Sequence, residues 1–259
     1  MPTGAPPDSH RAVKIAAMDE PTVPFGDPEL WRVSAFRRAM EGGADGTHYS
    51  TLSPSLLADL QRFEGNGSGL EVLEVLAACL RHPQDVALHL DRDDHVLPLT
   101  VFPRERLFHT PLPLEDLYAT RFDAVRLLQV ERALLRPPTG EPDDMTAPAA
   151  LCHPLGPLLW HLALHGPRHE LLPELAGPAV YRIAPDLELM MPITGALGGA
   201  VARLQQESMS LRALAAWPGF DAERAARLLN GLYLQAGLIV SRTHPAAAGD
   251  SWFSTLSNW

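Results

Sequence analysis

Along the chain the apolar positions follow two periods, and the change between them marks the elements. LEVLEVLAACL (70–80) is apolar at 70, 73, 76, 77 and 80, with 72, 75 and 79 widening the stripe. That spacing predicts a buried helix. Upstream, Asp27-Pro28-Glu29 supplies an N-cap, a proline at the first helical position and an acid in the first turn. A helix should run from there to about Glu41 and stop at Gly42-Gly43. Ser53-Pro54 opens a second helix through about Phe63, closed by the flexible joint GNGSG (65–69). Past 84 the period shortens to two. DVALHL (85–90), HVLPLTVF (95–102) and LFHT (107–110) predict strands, joined by the polar turns DRDD and PRER. PLEDLYAT (113–120) predicts one short helix. AVRLLQVERALL (124–135) is ambiguous: its β-branched residues favour a strand at 124–130, and its length allows a helix. The first half therefore reads as α+β, with helices packed on a small, mostly antiparallel sheet.

TGEPDDMTAPAA (139–150) is polar, twice interrupted by proline and free of aromatics, which marks a boundary. The chain then turns helical. PLGPLLWHLALHG (154–166) predicts a helix ending at Gly166-Pro167, RHELLPELAG (168–177) a short one, and AVYRIA (179–184) a connecting strand. Three helices follow at 193–207, 210–217 and 221–236. The expected organisation is a Pro-rich flexible leader (1–27), an α+β domain (28–138), a linker (139–150), a mainly α domain (151–243) and a tail (244–259).

The segment 209–242 can be parsed almost residue by residue. Ser210 caps a short helix with Leu211, Leu214 and Ala215 inward. Trp217-Pro218-Gly219-Phe220 makes a turn, and Asp221 caps the next helix with Glu223 in its first turn. Ala225, Leu228, Leu229, Leu232 and Tyr233 form a buried stripe, Gly237 is a natural left-handed terminator, and Leu238-Ile239-Val240 predicts a strand. With a preceding helix at 193–207, this order resembles the winged-helix form of the helix-turn-helix fold over about 193–242, a fifth of the chain. The resemblance implies either of two uses: DNA binding, or protein contact in regulation. In the first, the longer helix enters the major groove and Glu223, Arg224, Arg227 and Asn230 read the duplex.

Charge weighs against that first use. The 31 acidic residues outnumber the 21 basic ones, for a net charge of −10. Such an excess repels phosphate backbones and anionic membranes. Within 210–242, Arg212, Arg224, Arg227 and Arg242 stand against Asp221 and Glu223, a small positive balance. Lys14, in the leader, is the one lysine among the 21 basic residues, a skew typical of GC-rich bacterial coding. Its position removes Schiff-base, P-loop and kinase-like chemistry, all of which need a positioned lysine. The two cysteines, Cys79 and Cys152, form no CxxC pair and no disulfide framework, which points to a reducing compartment. The sequence carries no secretory signal and no apolar run long enough for a bilayer, so no membrane partner is expected and the expected location is the cytoplasm.

Three clusters hold candidate chemistry. His161, His165 and His169 fall four residues apart, with Cys152 and His153 upstream, a spacing suited to zinc, but Gly166-Pro167 breaks the helix between the second and third. His89, Asp91, Asp93, Asp94 and His95 crowd one connection and read as hairpin-turn chemistry. His109, Glu115 and Asp116 offer acid–base groups with no nucleophile elbow beside them. No cofactor is expected. The terminal SWFSTLSNW adds an aromatic motif, with Trp252, Phe253, Leu256 and Trp259 on one side of a short helix begun by Ser251. The sequence thus points to a non-enzymatic, cytoplasmic regulatory or adaptor protein acting through protein–protein contacts. Its candidate contact residues are Arg224, Arg227, Asn230, Trp252, Phe253, Leu256 and Trp259. The alternatives are a dimeric winged-helix DNA-binding regulator using 210–242, and a metal-dependent enzyme using the 152–170 histidines.

Overall fold

The structure, a computed structural model, describes residues 30–42, 52–65, 71–139, 143–185 and 193–243. The leader, the N-cap at 27–29, the joint at 66–69 and the tail with Trp252, Phe253, Leu256 and Trp259 lie outside the described residues. Helices α1 (Val33–Gly42), α2 (Pro54–Gly65) and α3 (Val72–Arg81) come first, followed by β1 (Val86–Arg92), β2 (His95–Phe102) and β3 (Leu107–His109). Short helix α4 (Leu114–Tyr118) leads to β4 (Arg126–Arg132), and β5 (Cys152–Pro154) completes an antiparallel sheet of order β4-β1-β2-β3-β5. The expected small antiparallel sheet with helices on it is therefore present.

Alternation builds the first hairpin. Val86, Leu88 and Leu90 are fully buried and stand opposite Val101, Leu99 and Leu97. The hairpin is closed by Asp93 and Asp94, both in the left-handed region at φ 50 and 65. Two such residues make a type I′ turn, whose twist matches that of the strands, and aspartate tolerates the conformation. Every residue of α3 from Val72 to Cys79 is buried, so this run has no solvent face. Its one charged residue in that run, Glu74, is met by Arg168 at 2.6 Å, and the same guanidinium reaches Glu71 at 2.9 Å. The ambiguous segment 124–135 resolves as strand β4, because its partner β1 needs a second antiparallel neighbour. Its period is broken by one extra residue, Leu128, where the register shifts.

The chain beyond 139–150 returns to the first sheet: β5 pairs with β3, placing Cys152 opposite His109. Helix α5 (Leu155–His165) then enters a hydrophobic core that is continuous from Leu52 to Leu234. The second sheet has order β7-β6-β8, with β6 (Val180–Ile183) central between β7 (Met209–Ser210) and β8 (Leu238–Ser241). Around it lie α6 (Gly195–Gln206), α7 (Leu211–Ala215) and α8 (Ala222–Leu234), the three helices expected there. Segment 168–177 is a series of turns and not a helix. Its backbone is held from outside: the Leu172 N–H is taken by a side chain of α8, and the Tyr181 hydroxyl donates to Leu175 O at 2.7 Å.

The caps of α7 and α8 are those expected. Ser210 Oγ accepts from Ala213 N at 3.2 Å, and Asp221 Oδ1 from Arg224 N at 2.7 Å. The end of α8 differs by one residue. Ala236 N donates to Tyr233 O at 2.8 Å and Gly237 N to Leu232 O at 3.0 Å, a Schellman closure. The left-handed position is Ala236, at φ 59, and not Gly237. Tyr233 is half-buried, while Ala225, Leu228, Leu229 and Leu232 are fully buried as expected.

Candidate functional site

The helix that the sequence singles out, α8, is covered on more than its apolar stripe. Ala226, Asn230 and Gly231 are buried along with Ala225, Leu228, Leu229 and Leu232. The cover is α5 and the turns that follow it. A Cβ on Gly231 would lie 2.8 Å from the ring carbons Cε3 and Cζ3 of Trp160, so the indole of α5 rests directly on the α8 backbone.

Asn230 and Arg227 therefore require correction as exposed contact residues. Asn230 is 0 % exposed. Its Oδ1 accepts from Leu172 N and its Nδ2 donates to Glu170 O, each at 2.9 Å. One side chain thus satisfies both a buried donor and an acceptor of the 168–177 turns. The Arg227 side chain is 13 % exposed. Its Nη1 donates to Leu164 O at 3.1 Å and to Gly166 O at 2.8 Å, and its Nε to Glu223 Oε1 at 2.9 Å. Carbonyls at a helix C-terminus carry partial negative charge, and a guanidinium there satisfies and neutralises them. Arg227 is thus a cap for α5. Glu223 also meets His169 Nδ1 at 2.8 Å, and these two partners, His169 first, hold its carboxyl below the usual range.

The periodic stripe at 225, 228, 229, 232 and 233 explains one face of α8 and leaves 226, 230 and 231 unassigned. The overlooked signal is Gly231, a helical position without a side chain, together with an α5 sequence that is apolar on nearly all sides. Small residues permit close approach of a second helix.

What remains exposed is the end where α6, the 217–220 turn and the start of α8 meet. Arg224 Nη1 donates to Gly219 O at 2.8 Å, and its guanidinium lies 5.4 Å from the Phe220 ring centre. Arg203 of α6 lies 5.4 Å from the Trp217 ring in the same way. Gly219, at φ 80, makes the turn that leads into Phe220, and a Cβ there would lie 3.2 Å from that of Ala196 on α6. The exposed Arg203, Arg212 and Arg224 are equalled in number by the exposed Glu207, Asp221 and Glu223. This end presents half-buried aromatic rings stacked with arginines, a combination enriched at protein contacts. A duplex-binding face instead needs several uncompensated cations.

The histidine and acid clusters do not converge. His161 sits edge-on to Tyr118 and Phe122, with ring centres 5.2 and 5.6 Å away, and is 4.9 Å from His165. His169 faces Glu223 instead. His89 is engaged by Glu131 at 2.9 Å and by the Phe36 ring at 4.9 Å, and His95 Nδ1 contacts Asp93 O at 2.9 Å inside its turn. Among the described residues no three His, Cys, Asp or Glu side chains come together as a metal site. His109 is buried on β3, whereas Glu115 and Asp116 are exposed on α4. Burial pushes the Cys79 thiol up to about 12 and raises that of Cys152, so both are held as neutral thiols.

No protein-family model, curated protein or solved structure matches the chain. Among the described residues no helix is long and apolar enough to cross a membrane.

Proposed function

We propose that this chain is a non-enzymatic regulatory or adaptor protein of the cytoplasm that acts by contact with another protein. Its 193–242 segment is a winged-helix-like module put to that use. The succession α6, β7, α7, α8 and β8 supports the module, with β6 as the central strand of its sheet. The observation that carries the functional reading is the covered flank of α8. Trp160, the α5 carbonyls and the 168–177 turns occupy the side chains that a DNA reader would turn toward base edges. The proposed contact surface is the Arg203–Trp217–Phe220–Arg224 end. The terminal aromatics Trp252, Phe253, Leu256 and Trp259 are proposed to contribute further anchors.

The test uses the full chain, immobilised and exposed to lysate of its source cells at near-physiological salt, beside an Arg203→Glu/Arg224→Glu variant. A discrete protein held by the parent and lost from the variant is the expected result. Equal retention by both, or recovery of nucleic acid in place of protein, contradicts the reading.

A further inference from the structure

His161 and His165 lie one turn apart on the same side of α5, and their ring centres are 4.9 Å apart. Two imidazoles bound to one zinc ion, each nitrogen about 2.0–2.1 Å from the metal, hold their ring centres about 5 Å apart. The pair on α5 already has that separation. Four other histidines are committed elsewhere: His82 to Asp59 at 2.8 Å, His89 to Glu131 at 2.9 Å, His95 to Asp93 O at 2.9 Å and His169 to Glu223 at 2.8 Å. Among the described residues His161 and His165 have no such hydrogen-bond or ion-pair partner. His161 is half-buried and His165 exposed, so an ion reaches them from solvent.

We propose that His161 and His165 form a two-imidazole site for a divalent transition-metal ion of the zinc class, open on its solvent side. The pair is preorganised. Tyr118 and Phe122 stand at steep angles to the His161 ring and restrict its rotation. Gly166 N closes the last turn of α5 on Leu162 O at 2.8 Å, and Arg227 holds the Leu164 and Gly166 carbonyls beyond it. His165 is thereby kept helical and on the face of His161. Burial, and the neighbouring His165, hold the His161 imidazole below its ordinary value of 6.5, so near pH 7 it is neutral, the form that ligates. His169, the third histidine of the spacing, has turned to Glu223 past the helix break and takes no part. Two protein nitrogens leave the remaining positions of a tetrahedral ion to water or to a donor brought by another molecule. Imidazole donors select zinc, copper or nickel over magnesium and calcium, which prefer oxygen.

Isothermal titration of the full chain with zinc chloride at about pH 7.5 tests this, with magnesium chloride as the hard-cation control. The parent takes up one equivalent of zinc that His165→Gln, at an exposed position, holds at least about tenfold more weakly. His161→Gln weakens the same equivalent equally, with circular dichroism to verify its fold because Tyr118 and Phe122 pack on the ring. His169→Gln retains the parent affinity, and magnesium does not compete. Copper(II) added to the parent gives an electron paramagnetic resonance signal split by two imidazole nitrogens, reduced to one in His165→Gln. A parent that takes up no zinc overturns the proposal. Zinc uptake equal in the parent and His165→Gln, or weakened as much by His169→Gln, shows an adventitious ion only and overturns it as well.

Discussion

Ala236 shows how one residue can work against the element it terminates. Its φ of 59 places an L side chain in the left-handed region, at the position where a Schellman closure usually has glycine. The closure forms all the same, with both of its hydrogen bonds in place. A left-handed L residue costs roughly 1–2 kcal/mol, part of which glycine returns as unfolded-chain entropy. Ala236→Gly should therefore raise the unfolding free energy by about 1 kcal/mol in urea denaturation. A loss of stability would show that the position is not strained. Asn230 is the opposite case, a polar residue whose burial stabilises because both ends of its amide are satisfied. Asn230→Ala leaves the Leu172 N–H without its partner inside the core, at a cost of about 1–3 kcal/mol, measured in the same way. An effect within experimental error would mean that the side chain faces solvent after all.

At the scale of elements, what the sequence makes legible is what local chemistry decides. The Ser210 and Asp221 caps, the alternation of β1 and β2, and the all-round apolar run of α3 each announce their element within a few residues. Segment 124–135 does not, because its β-branched residues favour a strand while its length allows a helix, and the outcome depends on β1 lying alongside. The 168–177 stretch has helix-forming residues, yet its backbone is held by Asn230 and by the Tyr181 hydroxyl, both distant in sequence. The same limit applies to the candidate site. The apolar stripe of α8 shows in its spacing, but its second buried flank shows only once α5 is seen to lie on it. Arg224 keeps its expected exposure because it stands in the first turn, ahead of the point where Trp160 reaches the helix. Arg227 and Asn230, one and two turns on, do not.

Over the whole molecule, one continuous core ties the two sheets together, and buried titratable groups make its stability depend on pH. Burial holds the imidazoles of His109, His153 and His161 below their ordinary value of 6.5. Near and below 6.5 the unfolded chain takes up protons that the folded one refuses. The stability these groups allow is thus full above 6.5 and is lost as pH falls through their depressed folded values. Buried Glu74 and half-buried Asp85 are shifted upward, chiefly by desolvation, so their contribution runs in the opposite sense in a more acidic window. Urea unfolding should accordingly give a lower free energy at pH 5.5 than at pH 7, and His161→Gln should reduce that difference; an increase on acidification contradicts the assignment. The central claim, that the 193–242 module serves protein contact and its longer helix is closed to DNA, has a more direct test. Fluorescence anisotropy of a labelled duplex with the full chain, at low and at near-physiological salt, should stay flat at both. Binding that is micromolar or tighter and falls steeply with salt would mean real phosphate neutralisation, and the covered face of α8 would then not be the surface that decides function.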